Sequence, residues 1–453
     1  MVSQGLFKKI FLLLGDLCFF FISLWLTLLL RHGHNYSGDI FQTHLHLFSL
    51  LAIIWLIIFY AFNLYYLNYY QHLTIFLNTF LKAMAINGIL TVIFFYLFSI
   101  NANITPKTVI VIQILIFSVL FSLWRYLFQK IFNQNSLKQQ VLLYGLHPHL
   151  NSIIEEIQHQ QHLFYLVGCY VFTRDPNIRI SAPIYSLDYN LEELIKKEKI
   201  TTIVIAENLN STDSEDLAKL LPYQVDIFSL PKFYETFFQK IPIQFLETSW
   251  FLENFSEGQK RLLATPKRIL DISLSLFCSI PSLLILPLLA LLIKITSPGP
   301  VFFKQIRSGQ NNKPFLAIKF RTMTIDAEKN GPQWAQKNDP RVTTIGKYLR
   351  KLRLDEIPQL WNILKGEMSF VGPRPERPEF IEQIDKNIAF YGYRHLVKPG
   401  LTGWAQINYP YGSSLDDARI KLEYDLYYIK NRSFFLDLSI IIKTINTVLK
   451  GWG

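Results

Sequence analysis

Four long apolar runs in the first third of this 453-residue chain, at 10–30, 45–65, 76–100 and 108–128, constrain its fold more than any other feature. Each approaches or exceeds the roughly 20 apolar residues that carry a helix across a bilayer. The first run reads as a span rather than a secretory leader: it is long, no small-residue cleavage site follows it, and three more runs come after. The expectation is a membrane protein with a four-helix transmembrane bundle over residues 1–138. Composition agrees, with 50% hydrophobic residues, a mean hydropathy of +0.22, 37 Phe and 23 Tyr. Aromatics in that number suit lipid and its interfaces.

Basic flanks orient the bundle. Lys8 and Lys9 precede the first run, and Arg125, Lys130 and Lys138 lie at or beyond the last, while the connections at 31–43 and 101–107 hold few positive charges. With an even number of spans, both ends face the cytoplasm. Asp16, inside the first run, suits a hydrogen bond to a neighbouring helix better than a ligand site. Cys18, Cys169 and Cys278 have no paired spacing, which argues against a disulfide scaffold or zinc site.

Residues 139–245 read as a small parallel α/β unit. Strands are expected at 141–144, 164–172 and 202–206, with helices at 151–159 and 191–199. A dinucleotide site would need a glycine-rich turn after the first strand. Here Gly145-Leu146-His147-Pro148-His149 has one glycine, so the unit is expected to be a degenerate Rossmann-like domain without a dinucleotide. His147 and His149 lack an evident third metal ligand and read as loop residues.

A linker, 246–265, leads into a unit at 266–453 that begins Pro266-Lys267-Arg268. The apolar stretch 269–295 contains Pro281 and Pro287, each lacking an amide donor, and is expected to break and re-enter on the same face. A fifth full span would put the following basic unit outside, against the charge rule. That unit holds 27 Lys and Arg against 16 Asp and Glu, whereas the rest of the chain has 18 of each. The whole net charge of +11 therefore sits here. An anionic membrane surface or a phosphate substrate fits a membrane protein better than nucleic acid does, and no nucleic-acid module is recognisable.

Residue types suited to phosphate are dense in this unit. Lys319 and Arg321 follow an alternating strand and share one face. Arg350 and Arg353 precede Leu354-Asp355-Glu356-Ile357-Pro358-Gln359-Leu360, which reads as a helix with Asp355 near its N-cap, Pro358 in the first turn and Gly366 at its end. Adjacent carboxylates there are ordinary caps taken alone. Pro373-Arg374-Pro375 adds an arginine on a rigid backbone, a fork suited to a phosphate or a uracil edge.

Together these segments, with Lys319-Phe320-Arg321-Thr322-Met323, Asn362-Ile363-Leu364-Lys365-Gly366-Glu367-Met368-Ser369-Phe370-Val371-Gly372 and Lys398-Pro399-Gly400-Leu401-Thr402-Gly403-Trp404-Ala405-Gln406-Ile407-Asn408, resemble the bacterial sugar transferases called monotopic phosphoglycosyl transferases. The whole chain resembles their large form, the exopolysaccharide polyprenyl glycosylphosphotransferases. Tyr409-Pro410-Tyr411-Gly412 and Tyr424-Asp425-Leu426-Tyr427-Tyr428-Ile429-Lys430-Asn431 point the same way.

The resemblance implies an α/β monotopic catalytic domain with a re-entrant membrane helix at the cytoplasmic face of the bacterial inner membrane. It implies transfer of a hexose-1-phosphate, glucose or galactose, from a UDP-sugar to undecaprenyl phosphate. Asp355 would attack the phosphorus next to the sugar and expel UMP, and polyprenyl phosphate would then resolve the covalent intermediate. Asp355 and Glu356 would hold Mg2+, an ion suited to carboxylate and phosphate ligands. Lys319, Arg321, Arg350, Arg353 and Arg374 would balance phosphate charge, with Pro373, Pro375 and Gln406 as further substrate-binding positions. Membrane lipids are an expected partner, and a homodimer is open to such a chain. A non-catalytic export scaffold could lose Asp355 or Glu356, and both are present. A membrane-tethered NAD-dependent epimerase would need the missing glycine fingerprint.

Overall fold

The computed structural model describes residues 2–65, 73–98, 107–131, 138–147, 149–160, 164–171, 181–186, 189–206, 211–255, 262, 264–329, 331, 339–409, 412 and 414–449. The chain divides into two compact units, Met1–Leu230 and Pro231–Gly453.

In the first unit, the four apolar runs form α1 (Val2–His32), α2 (Gly38–Ala61), α3 (Leu73–Phe98) and α4 (Lys107–Ile131). Residues 99 and 100 of the third run lie outside the described residues. Helices in lipid associate through close packing and hydrogen bonds rather than apolar burial. Both devices join α1 to α4. Gly15 lets the Trp124 ring approach so closely that a Cβ there would lie 2.2 Å from it. One residue on, Asp16 meets Arg125 in a buried ion pair (2.5 Å). Asp16 thus joins a neighbouring helix, as expected. Gln113 extends the seam, donating to Ser23 Oγ at 2.8 Å. Between α2 and α3, Trp55 Nε1 donates to Thr91 Oγ1 at 3.0 Å.

The sheet of this unit contains β1 (Gln139–Tyr144), β2 (Phe164–Tyr170), β3 (Ile184–Tyr185), β4 (Thr202–Ile205) and β5 (Asp226–Ser229), with α5 (Leu150–His159), α6 (Leu191–Glu198) and α7 (Ser211–Ala218) in the connections. Its order is β3-β2-β1-β4-β5 and every pairing is parallel, the arrangement of a Rossmann-like sheet. The central β1 is buried along Val141–Tyr144, as a strand covered on both faces must be. Helix α5 buries Leu150, Ile153, Ile154 and Ile157 at helical spacing. Strands β3 and β5 were not anticipated; one has two residues and the other begins at an aspartate. Residue 172 of the second expected strand and Pro148 lie outside the described residues. After β1, His147 Nδ1 accepts from the His149 amide at 3.1 Å, closing a local turn.

The second unit begins earlier than the sequence suggests. The expected divide at 245–246 is replaced by one after Leu230. After α8 (Leu230–Phe233), residues 234–255 fold onto the unit with α9 (Thr248–Asn254). Ile241, Ile243 and Phe251 share a core with Ile384, Ile388, Tyr391, Leu422 and Leu426. The polar anchor is Glu235, which accepts from Lys430 (3.1 Å) and Asn431 (3.1 Å).

Helix α10 (Ala264–Thr296) runs unbroken through Pro281 and Pro287, which corrects the expectation that the prolines break it. Each proline still removes one amide donor from the ladder. Nearby hydroxyls turn back onto the helix, with Ser282 Oγ donating to Cys278 O at 2.6 Å and Ser279 Oγ to Ser275 O at 2.7 Å. The base of α10 is fixed by charges. Lys267 Nζ donates to Asp437 (2.8 Å) and to the Val371 carbonyl (2.9 Å), while Asp271 accepts from Ser369 Oγ (2.9 Å) and the Phe370 amide (2.8 Å). Farther along, Leu276, Phe277, Ile280, Leu283 and Leu284 are exposed, as a helix surrounded by lipid should be. This is one of five helices long and apolar enough to cross a membrane among the described residues.

The remaining elements are the antiparallel hairpin β6 (Phe302–Ser308) and β7 (Pro314–Phe320), α11 (Thr344–Lys351), α12 (Gln359–Lys365), β8 (Ser369–Val371), α13 (Pro378–Asn387), β9 (Gly400–Thr402), α14 (Trp404–Asn408), α15 (Leu415–Asn431) and α16 (Phe434–Leu449). Strand β8 pairs in parallel with β9. Gly372 is required where these strands meet, since a Cβ there would lie 2.3 Å from the Lys398 carbonyl oxygen.

Candidate active site

A short turn places the two carboxylates. Thr343 caps α11, its Oγ1 accepting from the Gly346 amide at 3.1 Å. The helix stops at Lys351, and Arg353 takes a left-handed conformation (φ 58°) that redirects the chain. Leu354–Glu356 then forms a 3-10 turn. A three-residue repeat puts Leu354 and Ile357 on one side, where they pack with Phe320, Leu349, Leu289 and Ile293. Asp355 and Glu356 are buried at 7% and 5% exposure. Asp355 therefore stands in a separate turn, not at the N-cap of one long helix. Pro358 is the N-cap of α12, and Gly366 (φ 87°) closes that helix as expected.

Glu356 is surrounded by cations. Arg374 Nη2 lies 2.6 Å from Oε1 and Nη1 3.4 Å from Oε2. Lys319 Nζ is 2.8 Å from Oε1 and Arg353 Nη1 is 3.6 Å from it. Burial alone would raise the pKa of this carboxyl; Arg374, Lys319 and Arg353 overcome it and hold the group well below the usual range. Burial lowers the pKa of Lys319, with Glu356 acting against that.

Asp355 has the opposite environment. Its Oδ1 is buried without a hydrogen-bond partner. Burial first, and the adjacent Glu356 charge second, push its pKa above the ordinary aspartate value. The pair thus holds one carboxylate saturated by cations and one with an unpartnered oxygen and heightened basicity. Such a division separates an electrostatic anchor from a candidate nucleophile. Among the described residues no three His, Cys, Asp or Glu side chains are grouped to hold a metal. A magnesium ion commonly takes one or two carboxylates and completes its shell from water and substrate phosphates. The Asp355 carboxylate fits that donor set.

Other expected positions fall elsewhere. Arg321 is buried at the end of β7, donating to the carbonyls of Pro298 (2.6 Å) and Ser297 (2.7 Å) just past α10. Arg350 donates through Nε to Thr322 Oγ1 at 2.9 Å, and no carboxylate pairs with it among the described residues. Gln406 donates to the Leu401 carbonyl at 3.3 Å, its Oε1 buried without a partner. Pro373 and Pro375 flank the arginine that reaches Glu356. The structure therefore brings Lys319, Arg353, Arg374, Asp355 and Glu356 together, and leaves Arg321, Arg350 and Gln406 in other contacts. Pro410 and Tyr411 lie outside the described residues.

Sequence reading missed a buried polar group beside the site. Arg394 donates to Asp425 at 3.0 Å and to the Tyr391 hydroxyl. Burial pushes Asp425 up to about 6 despite that arginine. Next to it, burial and then Arg394 push His395 down to about 4. The available signal was a charge set among aromatic and aliphatic neighbours, as at Asp425 between Tyr424 and Leu426.

Comparison with known proteins agrees with this arrangement. The sequence model of the family described as Bacterial sugar transferase matches residues 262–451. A UDP-N-acetylgalactosamine-undecaprenyl-phosphate N-acetylgalactosaminephosphotransferase of Aeromonas hydrophila is 54% identical over 164 residues, 36% of this chain and 39% of that protein. A UDP-glucose:undecaprenyl-phosphate glucose-1-phosphate transferase of Escherichia coli is 44% identical over 193 residues, 42% of this chain and 40% of that protein. The matches thus span about two fifths of the length of these two relatives. A shorter, uncharacterised sugar transferase of Bacillus subtilis is 41% identical over 187 residues, 41% of this chain and 89% of that protein. With the carboxylate pair set among cations and the match running through all the segments that build it, the chain belongs to the bacterial sugar transferase family.

Proposed function

We propose that this protein transfers a hexose-1-phosphate from a UDP-sugar to undecaprenyl phosphate, releasing UMP, as the first membrane step of exopolysaccharide or capsule synthesis. The observation that carries the reading is the buried, unpartnered Oδ1 of Asp355 beside a Glu356 bound by Arg374, Lys319 and Arg353. Relatives named for glucose and for N-acetylgalactosamine support a donor among the UDP-hexoses and their N-acetylated forms.

In the first step, Asp355 Oδ1 attacks the phosphorus that bears the sugar. The bond from that phosphorus to the bridging oxygen breaks, and its electron pair leaves with UMP. The sugar phosphate is then an acyl phosphate on Asp355. In the second step, an oxygen of undecaprenyl phosphate attacks the same phosphorus and the Asp355 carboxylate departs. Lys319, Arg353 and Arg374 supply positive charge where the phosphoryl oxygens gather negative charge, and Glu356 fixes those cations in place. Asp355, with Glu356 at hand, would hold Mg2+, which when bound neutralises phosphate charge and polarises the phosphoryl group.

The proposed setting is the bacterial inner membrane, with the catalytic unit on the cytoplasmic face and α10, kinked at its prolines rather than broken there, entering and leaving on that face. The exposed apolar surface of α10 and the basic character of the unit that follows support it.

The test is incubation of the full-length protein in detergent with magnesium, undecaprenyl phosphate and a panel of radiolabelled UDP-sugars. Labelled lipid and UMP should appear with one or two sugars. Failure with every UDP-sugar, in a protein shown to be folded, would remove the proposal.

A further inference from the structure

Two prolines leave the segment Pro373-Arg374-Pro375-Glu376 short of amide donors, so its carbonyls are the main handles by which the fold can grip it. All four are gripped. Pro373 O accepts from Gly400 N (2.8 Å), Arg374 O from Arg394 Nη2 (3.0 Å), Pro375 O from Arg307 Nη1 (3.1 Å) and Glu376 O from Ser308 N (3.0 Å).

Two of the four donors are guanidinium groups from remote parts of the unit. Arg394 lies in the 3-10 segment Tyr391–Leu396 and is itself held by Asp425 of α15 at 3.0 Å. Arg307 lies on β6, where its Nη2 also donates to Gln305 Oε1 at 2.5 Å. On the other side of the same short backbone, the Arg374 side chain reaches Glu356. A fork held at one end by a carboxylate and at the other by a pinned carbonyl has little freedom left.

We propose that Arg394 and Arg307 are positioning residues: by gripping the carbonyls of Arg374 and Pro375, they fix the Arg374 fork on Glu356 and so set the charge around Asp355. Neither acts on substrate. Their effect passes through Arg374, which separates this role from simple support of the fold.

A double-mutant cycle on the full-length protein in detergent tests this, with UMP release from the productive UDP-sugar as the rate. Lysine keeps the charge and loses the fork. Misplacing a catalytic group by about 1 Å costs up to roughly 100-fold, so Arg374→Lys should lose about 100-fold and Arg307→Lys about 10-fold. Paired with Arg374→Lys, neither Arg307→Lys nor Arg394→Lys should cost more than about twofold further, because the group they position is already lost. Losses that multiply in the double variants would overturn the proposal. Should Arg394→Lys not fold, the Arg307 cycle decides.

The turnover arm rests on the proposed function, so a second readout does not use activity. Thermal melts at neutral pH give a second cycle, between Arg307→Lys and Glu356→Gln. Each should lower the melting temperature, and the double variant should lose clearly less than the sum, because both act through the Arg374 fork. Losses that add would overturn the positioning role. Coupled losses with no turnover from any UDP-sugar would sink the activity and leave the positioning intact.

Discussion

Arg374 and Glu356 meet as a two-pronged pair, with Nη2 2.6 Å from Oε1 and Nη1 3.4 Å from Oε2, and Lys319 shares the first oxygen at 2.8 Å. Glu356 is thereby committed to cations, and its neighbour Asp355 is the carboxylate with an oxygen to spare.

The two carboxylates should respond to pH with opposite signs. Asp355 has a raised pKa in the fold, so its stabilising contribution is complete below the unfolded value of 3.8 and is lost as pH rises through the folded one. Asp355→Asn should therefore melt at a higher temperature than the wild type at neutral pH, while transfer falls by on the order of 10^4-fold. Thermal melts and UMP release check both halves. A variant that keeps full turnover would end the covalent route.

Glu356 has a lowered pKa, so its contribution is present above the unfolded value of 4.5 and is lost as pH falls through the folded one. Glu356→Gln should flatten the acid side of the stability profile. It also leaves Lys319, Arg353 and Arg374 facing one another, which should cost roughly 3 kcal/mol at neutral pH. Equal wild-type and variant melting curves across the acid range would contradict the cation-bound anchor.

The segment ahead of α10 should behave as part of the catalytic unit. Phe251 stacks on Tyr393 (4.6 Å between ring centres) and meets Phe390 at a tilt (4.3 Å). Phe251→Ala should destabilise that unit by about 3 kcal/mol. Hydrogen exchange resolved by peptide should show the loss at 384–396 and 418–426. Exchange rising only within 248–255 would mean that the segment is an accessory cover.

Topology can be read at Lys313, an exposed residue in the β6–β7 hairpin. With Cys18, Cys169 and Cys278 replaced, a Lys313→Cys protein in intact cells should resist a membrane-impermeant thiol reagent and react once the membrane is permeabilised. Labelling from outside would mean that α10 crosses completely.

The spans, the central strands and the carboxylate pair were legible because each carries a local signal. Apolar length marks α1 to α4, a continuous apolar run marks β1, and Asp355-Glu356 stand among arginines and prolines. What escaped depends on distant contacts. Residues 231–255 have no strong periodicity, and their membership in the catalytic unit comes from Ile384, Tyr391 and Leu422, more than 120 positions away. Arg321 and Lys319 look alike on a strand. Only the fold shows that Arg321 faces the carbonyls at the end of α10, while Lys319 faces Glu356. The prolines of α10 read as breaks because each deletes a donor, yet the helix continues on either side of both.

Helix α10 makes the solvent of the protein part of its chemistry. Leu289 and Ile293 on that helix underlie the turn that carries Asp355, while Leu283, Leu284 and Leu288 on the same helix are exposed. Whatever wets those leucines also loads the floor beneath Asp355. Two preparations with the same sequence but different residual lipid or detergent tail length should thus differ in turnover, making purification history a kinetic variable.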